Sequence, residues 1–221
     1  MKRLDGFAQR LQALHGEQSG PPVADPYRLM LWDYVAYLAD DEKRLAAYRL
    51  LEKRVGTSPN EILAAPIKAL VEITRSGGSV APEDRARKMQ DLAARVADDW
   101  NGDLSAVLEL PFDKARKELA KFQSVGDAGA DRMLLLCGAY PVLGLESNAL
   151  RVLVRLGYGT ESENWNKMYK SAQLAAEPDV TKSIPARRRA FLQLRVHGQT
   201  VCRRAKPLCH ECPLQADCPS G

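Results

Sequence analysis

Long apolar segments are missing from this 221-residue sequence. The longest uncharged apolar runs, such as Met133–Tyr140, are far shorter than the roughly 20 residues that cross a bilayer. Residues 1–16 alternate charged and apolar side chains and lack the apolar centre of a secretory signal peptide. Strand-like alternation, internal repeats and low-complexity tracts are also missing. These absences favour a cytoplasmic all-α protein, and 45% apolar residues are enough for a core.

Cysteine is scarce as well: the chain has five, and four of them lie in the last twenty residues. Their spacing is Cys202-x6-Cys209-x2-Cys212-x5-Cys218. In a chain without a secretory signal, such clustering indicates a metal or cluster site rather than disulfides. Four thiolates suit either a zinc ion or a cubane iron–sulfur cluster. Zinc ribbons usually contain two Cys-x2-Cys pairs, and because this loop contains one, the spacing favours a [4Fe–4S] cluster.

Acidic residues are absent from residues 180–208, which carry eight lysine and arginine residues. The net charge of the whole chain is only +4, so the distribution is more informative than the sum. A stretch with charges of one sign favours a polyanionic partner such as nucleic acid, and a solvated basic helix face is the open alternative. Arg203, Arg204 and Lys206 lie between the first two clustered cysteines. Ligation at both ends of this segment would direct its cations at a phosphate backbone.

Helical periodicity is the dominant pattern along the chain. Ser58-Pro59-Asn60-Glu61 is a capping box with proline at the first helical position, so a helix is predicted to begin there. Further helices are predicted at residues 26–39, 45–55, 82–96, 104–110, 111–122, 128–140, 147–156, 165–175 and 185–196. The predicted fold class is therefore all-α.

Two segments resemble the endonuclease III and adenine-mismatch glycosylase family of helix-hairpin-helix DNA glycosylases. The first is the cysteine spacing together with the segment His197–Cys202 that precedes it. The second is Phe122–Gly126, which lies between two predicted helices and resembles the family's Leu-Pro-Gly-Val-Gly hairpin. In that hairpin backbone N–H groups bind a DNA phosphate. Val125 and Gly126 match the motif, whereas Gln123 and Ser124 replace its proline and first glycine.

The resemblance covers nearly the whole chain and implies a two-lobed helix-hairpin-helix glycosylase fold. A six-helix lobe is expected at residues 25–145, and a second lobe is expected to combine residues 1–24 and 146–221, with the cluster loop at 202–218. The implied partner is double-stranded DNA, bound by a monomer in the nucleoid-containing cytoplasm. The implied DNA contacts are Gln123, Ser124, Val125, Gly126, Arg203, Arg204 and Lys206. The implied ligands of a [4Fe–4S] cluster are Cys202, Cys209, Cys212 and Cys218.

The sequence departs from the family at the catalytic positions. Bifunctional members carry a nucleophilic lysine two residues after the hairpin's last glycine, and this chain has Ala128 there. The resemblance places Glu146 at the family's catalytic aspartate and Asp33 at the glutamate that protonates the base. Both carboxylates are candidate catalytic residues. The alternatives are that Glu146 only stabilises a helix dipole and that Asp33 faces solvent. Leu38 falls where family members insert a glutamine into the duplex.

These features predict a monofunctional DNA glycosylase that releases a damaged or mispaired base by hydrolysis. A catalytically inactive DNA-binding paralogue is the main alternative, because the lysine is missing, the hairpin is altered and aspartate is replaced by glutamate. A zinc-stabilised interaction factor is a third possibility, which requires that the bound metal is zinc.

Overall fold

The computed structural model describes residues 1–37 and 39–221, and these residues form helices, turns and loops without a β-strand. The predicted all-α fold class is therefore confirmed. No helix in the described ranges is long and apolar enough to cross a membrane. In chain order the α-helices of these residues are α1 (Arg3–His15), α2 (Pro26–Val35), α3 (Asp41–Arg54), α4 (Pro59–Ala64), α5 (Ile67–Ser76), α6 (Pro82–Trp100), α7 (Phe112–Ala120), α8 (Gly126–Leu136), α9 (Ser147–Arg155), α10 (Trp165–Ala176) and α11 (Ile184–Thr200).

The described chain divides into two compact units. One is Val23–Pro111, and the other combines Met1–Pro22 with Phe112–Gly221. The helices of the hairpin, α7 and α8, belong to the unit that contains both termini, because α8 packs against α11. The lobe predicted at residues 25–145 had grouped this hairpin with the helices that precede it.

In the unit Val23–Pro111, α2 ends at Val35, earlier than the predicted helix 26–39. Ala36 turns to an extended backbone with φ −145° and ψ 142°. The last carbonyls of α2 are taken by two arginines instead of further helical N–H groups. Arg44 Nη1 donates to the Ala36 carbonyl at 2.8 Å, and Arg85 Nη1 donates to the Val35 carbonyl at 2.8 Å. The end of this helix is thus fixed by residues from α3 and α6.

The capping box predicted for α4 is confirmed. Glu61 N–H donates to Ser58 Oγ, and Ser58 N–H donates to Glu61 Oε2 at 2.8 Å. After α6, a 3-10 turn at Leu104–Glu109 replaces the helix predicted at 104–110, and Asp103 caps this turn by accepting a hydrogen bond from Ser105 N–H at 2.8 Å.

In the unit that contains both termini, α9 and α11 pack along each other and α1 packs on α11. Gly198 allows this close approach, because a Cβ atom there would lie 2.6 Å from the carbonyl oxygen of Asn148. α11 is longer than the predicted helix 185–196 and reaches Thr200, two residues before the first clustered cysteine. The position of α9 against α11 therefore determines where the carboxyl-terminal loop begins.

Candidate functional site

The carboxyl-terminal loop carries all four clustered cysteines. Cys202 N–H donates to the carbonyl of His197 at 2.8 Å, so the last turn of α11 fixes the first cysteine. Cys212 N–H donates to the carbonyl of Cys209 at 3.0 Å, so the close pair shares one 3-10 turn. Leu214 is fully buried, but most other residues of the loop are exposed or half-buried. Side-chain packing alone therefore gives this loop little support.

The four thiols interact electrostatically and form no disulfide. All four are half-buried. Burial raises the pKa of the Cys212 thiol, and the nearby Cys202, Cys218 and Cys209 raise it further, while the Leu214 N–H hydrogen bond lowers it. A group that binds thiolates would remove the unfavourable interaction among these sulfur atoms.

The groups around the sulfur atoms fit metal-bound thiolates. Arg155 Nη1 lies 3.4 Å from Cys202 Sγ, and Leu214 N–H donates to Cys212 Sγ at 3.4 Å. N–H donors of this kind stabilise ligated thiolates in iron–sulfur proteins. In the described part of the chain, no three His, Cys, Asp or Glu side chains are arranged to hold a single metal ion. The soft donor set fits a [4Fe–4S] cluster, in which each cysteine binds a different iron.

Two arginines of α9 hold the backbone at the start of the cysteine loop. Arg151 Nε donates to the carbonyl of Cys202 at 3.1 Å. Arg155 donates to the carbonyls of the next two residues, at 2.8 and 3.3 Å. Residues four apart lie on the same face of a helix, so both guanidinium groups reach the same segment. The first cysteine is therefore positioned by side chains of α9 as well as by the end of α11.

Hydrogen bonds also connect this loop to Glu146, the amino-terminal cap of α9. Glu146 Oε1 accepts from Ala149 N–H at 2.8 Å, and Oε2 accepts from Asn148 N–H at 2.9 Å and from Asn148 Nδ2 at 3.1 Å. Asn148 Oδ1 accepts from Arg151 Nη2 at 2.8 Å. Since Arg151 also binds the carbonyl of Cys202, three hydrogen bonds link the carboxylate to the first cysteine. The half-buried carboxylate of Glu146 is held in one orientation.

The hairpin turn between α7 and α8 keeps the backbone shape that glycine favours, although one glycine of the family motif is replaced. Ser124 has φ 62° and Gly126 has φ 55°, both in the left-handed region. Val125 N–H donates to the carbonyl of Phe122 at 3.2 Å, and both of these side chains are buried. Gln123, Ser124 and Gly126 are exposed. Helix α8 therefore begins at an exposed turn. The N–H groups at the amino-terminus of a helix can bind an anion at such a position.

A buried carboxylate fixes the hairpin to α10. Asp131 of α8 is 1% exposed and forms a bidentate pair with Arg116 of α7, at 2.6 and 3.1 Å. Tyr169 OH donates to Asp131 Oδ2 at 2.7 Å, and Gln173 Nε2 donates to the same oxygen at 3.2 Å. The hydrogen bond to Asp131 raises the pKa of the Arg116 guanidinium. Four donors therefore converge on one carboxylate behind the turn.

The predicted basic stretch divides into exposed and buried parts. Arg203, Arg204 and Lys206 are exposed on the cysteine loop, where a polyanion can reach them. Arg187, in contrast, is 2% exposed and donates to Glu177 Oε1 at 2.6 Å. Arg187 therefore does not contribute to an exposed basic surface, because its side chain is buried in an ion pair.

Asp33 lies on α2, in the unit Val23–Pro111, and is half-buried between apolar neighbours. Burial raises the pKa of the adjacent Tyr34, and the charge of Asp33 adds to that shift. Leu38, the predicted wedge residue, lies outside the described residues.

Sequence reasoning missed several residues of the site. Arg151 and Arg155 were not predicted as site residues. Two arginines four residues apart lie on the same face of a helix, and this spacing is recognisable in the sequence. Asp131 also carried a signal, since it is an acid next to an apolar run in a predicted helix. Nothing local in the sequence marks Asn148 as a partner of Glu146 and Arg151.

No family model matches. Endonuclease III of Sulfolobus acidocaldarius is 25% identical over 181 residues, which are 80% of this chain and 74% of that relative. Thymine-DNA glycosylase of Aeropyrum pernix is 24% identical over 227 residues, 98% of this chain and 94% of the relative. A solved structure of a trapped endonuclease III–DNA covalent intermediate aligns with a TM-score of 0.74 at 22% identity, covering 98% of this chain and 92% of that one.

The helical units, the hairpin and the similarity to that solved structure define an all-helical protein with the endonuclease III fold. The predicted resemblance to these DNA glycosylases is confirmed by the two relatives, whose similarity extends over most of this chain. The chain is similar over most of its length to helix-hairpin-helix DNA glycosylases.

Proposed function

We propose that this chain is a monofunctional DNA glycosylase of base-excision repair, which hydrolyses the bond between a damaged or mispaired base and its sugar in double-stranded DNA. The relatives support a glycosylase, since one of them is a thymine-DNA glycosylase of similar length. The observation that carries the proposal is the carboxylate of Glu146, held in one orientation at the amino-terminus of α9.

Glu146 has the chemistry that base release needs. Breaking the glycosidic C–N bond builds positive charge on the sugar, which a nearby carboxylate stabilises while it orients a water molecule. A carboxylate has about four acceptor positions. Three are used by the N–H groups of Asn148 and Ala149, which leaves one for water. Asp33 is the second proposed catalytic carboxylate, as a proton donor to the departing base after the nucleotide is extruded from the duplex.

Ala128 determines the product of the reaction. A Schiff base requires an amine at the sugar carbon, and the position of the family's lysine carries a buried methyl group instead. Water is then the nucleophile, and the product is an intact abasic site. Strand cleavage requires alkali or a separate enzyme.

The DNA contacts are proposed at two places in the unit that contains both termini. The exposed turn Gln123–Gly126 offers backbone N–H groups to a phosphate, and Arg203, Arg204 and Lys206 offer positive charge. The four cysteines would hold a [4Fe–4S] cluster, which when bound supplies folding energy to a loop that has little packing of its own. We expect purified protein to contain about four iron atoms per chain. One zinc ion and no iron in anaerobically prepared protein would contradict the cluster.

The experiment is a panel of duplexes, each with a different damaged or mispaired base, assayed for base release with and without alkali. We expect base release without strand cleavage before alkali is added, and no protein–DNA adduct after borohydride treatment. Glu146→Gln should abolish release and retain binding, because the amide oxygen can still accept a helix N–H group. Glu163→Gln, at an exposed position of the same unit, is the matched control. Efficient borohydride trapping would refute the monofunctional assignment and implicate another lysine, such as Lys121.

A non-catalytic DNA-binding function is the second candidate, and one observation favours it. The carboxylate of Glu146 already has a structural role as the cap of α9, which it would fill equally well in an inactive protein. Tight binding to the duplexes without release of any base would establish this alternative.

A further inference from the structure

Two histidines connect the amino-terminal helix to the cysteine loop. His15, the last residue of α1, places Nε2 3.0 Å from Nδ1 of His197. His197 is 1% exposed, and its other nitrogen, Nε2, lies 3.3 Å from Cys212 Sγ. The three side chains therefore form a line of hydrogen bonds that ends on a proposed cluster ligand.

The direction of these hydrogen bonds depends on the state of Cys212. A metal-bound thiolate has no hydrogen, so His197 Nε2 must carry the hydrogen that lies between them. In the neutral imidazole this leaves His197 Nδ1 as an acceptor, and the hydrogen between the two rings then belongs to His15 Nε2. If His197 instead donated from Nδ1, its bare Nε2 would face the thiolate with a lone pair. With its hydrogen on Nε2, His15 stabilises the tautomer of His197 that donates to Cys212.

Helix α1 holds His15 at this position. Arg10, on the same helix, donates to Asp217 Oδ2 at 2.7 Å and also to the carbonyl of Pro213, the residue after Cys212. Gln18 Nε2 donates to the carbonyl of His15 at 2.7 Å. Since α1 is anchored to the loop by Arg10, the contact between the rings of His15 and His197 belongs to a larger contact between α1 and the loop.

We propose that His15 is a positioning residue for the cluster: it fixes His197 as an Nε2–H donor to Cys212, and through this hydrogen bond it raises the reduction potential of the cluster. A donor at the ligand sulfur offsets part of the negative charge that an added electron brings, so the reduced state is favoured. The inference rests on the cluster proposed above, and it adds a role for a residue about 200 positions from the last cysteine.

The test measures the reduction potential of the iron-loaded protein by spectroelectrochemical titration, with iron per chain determined on the same samples. His15→Leu removes the ring nitrogens, and we expect a more negative potential. His15→Gln restores an N–H donor and should return the potential towards that of the wild type. His210→Gln is the matched control, because His210 is an exposed histidine beside Cys209, and it should leave the potential unchanged. A full complement of iron in His15→Leu with an unchanged potential would overturn the role of His15.

A second measurement uses the wild-type protein and does not depend on the folding of a variant. The chain has only three histidines, so their ¹⁵N resonances can be assigned in iron-loaded protein. We expect His197 to be protonated at Nε2 and unprotonated at Nδ1, and the opposite tautomer would overturn the inference. Wild-type protein without iron would overturn the cluster proposal and this inference together, whereas iron-containing protein with the opposite tautomer overturns this inference alone.

Discussion

Replacing Asp131 by asparagine should destabilise the unit that contains both termini by about 3 kcal/mol. In the native protein four donors point at this carboxylate, two from Arg116 and one each from Tyr169 and Gln173. An asparagine has one acceptor oxygen, so its amide group would face at least one of these donors with a donor of its own. The substitution also leaves the guanidinium of Arg116 without its bidentate partner.

The magnitude follows from the burial of the two partners. Removing one member of a buried ion pair costs about 3–5 kcal/mol. The side chain of Arg116 is 25% exposed, and Asp127 lies 3.5 Å from it as a second partner, so the lower end of that range applies. For a chain of this size 1 kcal/mol corresponds to about 2–4 °C, so we expect the unfolding temperature to fall by about 6–12 °C. Urea and thermal unfolding followed by circular dichroism give both quantities.

Asp127→Asn is the matched control for this prediction. It makes the same chemical change one helical turn earlier, at a side chain that is 41% exposed and paired with Arg116 and Lys170 at 3.5 Å. Exposed ion pairs contribute about 0–1 kcal/mol, so the control should lose no more than about 1 kcal/mol. Equal losses from Asp127→Asn and Asp131→Asn would refute the argument that convergence of donors on a buried carboxylate stabilises the hairpin.

Two further predictions concern the proposed DNA contacts. Ser124→Gly should stabilise the protein by roughly 0.5–1 kcal/mol, because it removes the cost of a left-handed backbone at a side-chain-bearing residue. Ser124→Ala keeps that cost and should bring no gain in urea unfolding. The double variant Arg203→Ala with Arg204→Ala should weaken duplex binding and lower the slope of log affinity against log salt by about two, since each arginine replaces about one counterion on a phosphate. An unchanged slope in a salt titration would assign this pair to the solvated surface.

Features that depend on neighbouring residues were predictable from the sequence. The start of α4 follows from Ser58 and Glu61, three positions apart, which satisfy each other's backbone groups without help from distant residues. The cysteine spacing likewise lies within one loop. The end of α2 was not predictable, because the carbonyl of Val35 is taken by Arg85, which lies 50 positions along the chain. Apolar periodicity continues past Val35 and gives no sign of this.

The same distinction applies to the candidate site. Glu146 and the hairpin could be proposed from the sequence because each lies in a short motif, whereas their surroundings depend on long-range packing. Arg151 reaches the carbonyl of Cys202 across 51 positions of sequence, and His15 reaches His197 across 182. No sequence pattern joins such residues, because the helices that bring them together are positioned by the core.

Gly198 limits the substitutions that this protein can tolerate where α9 packs against α11. A methyl group there would lie 2.6 Å from the carbonyl oxygen of Asn148, a main-chain atom that every residue type at position 148 retains. No substitution at position 148 can therefore make room for alanine at position 198. Relief would require α9 and α11 to move apart, which would shift Arg151 away from the carbonyl of Cys202. In a saturation-mutagenesis library selected for iron content, codon 198 should consequently retain glycine alone, while codon 148 accepts several residues.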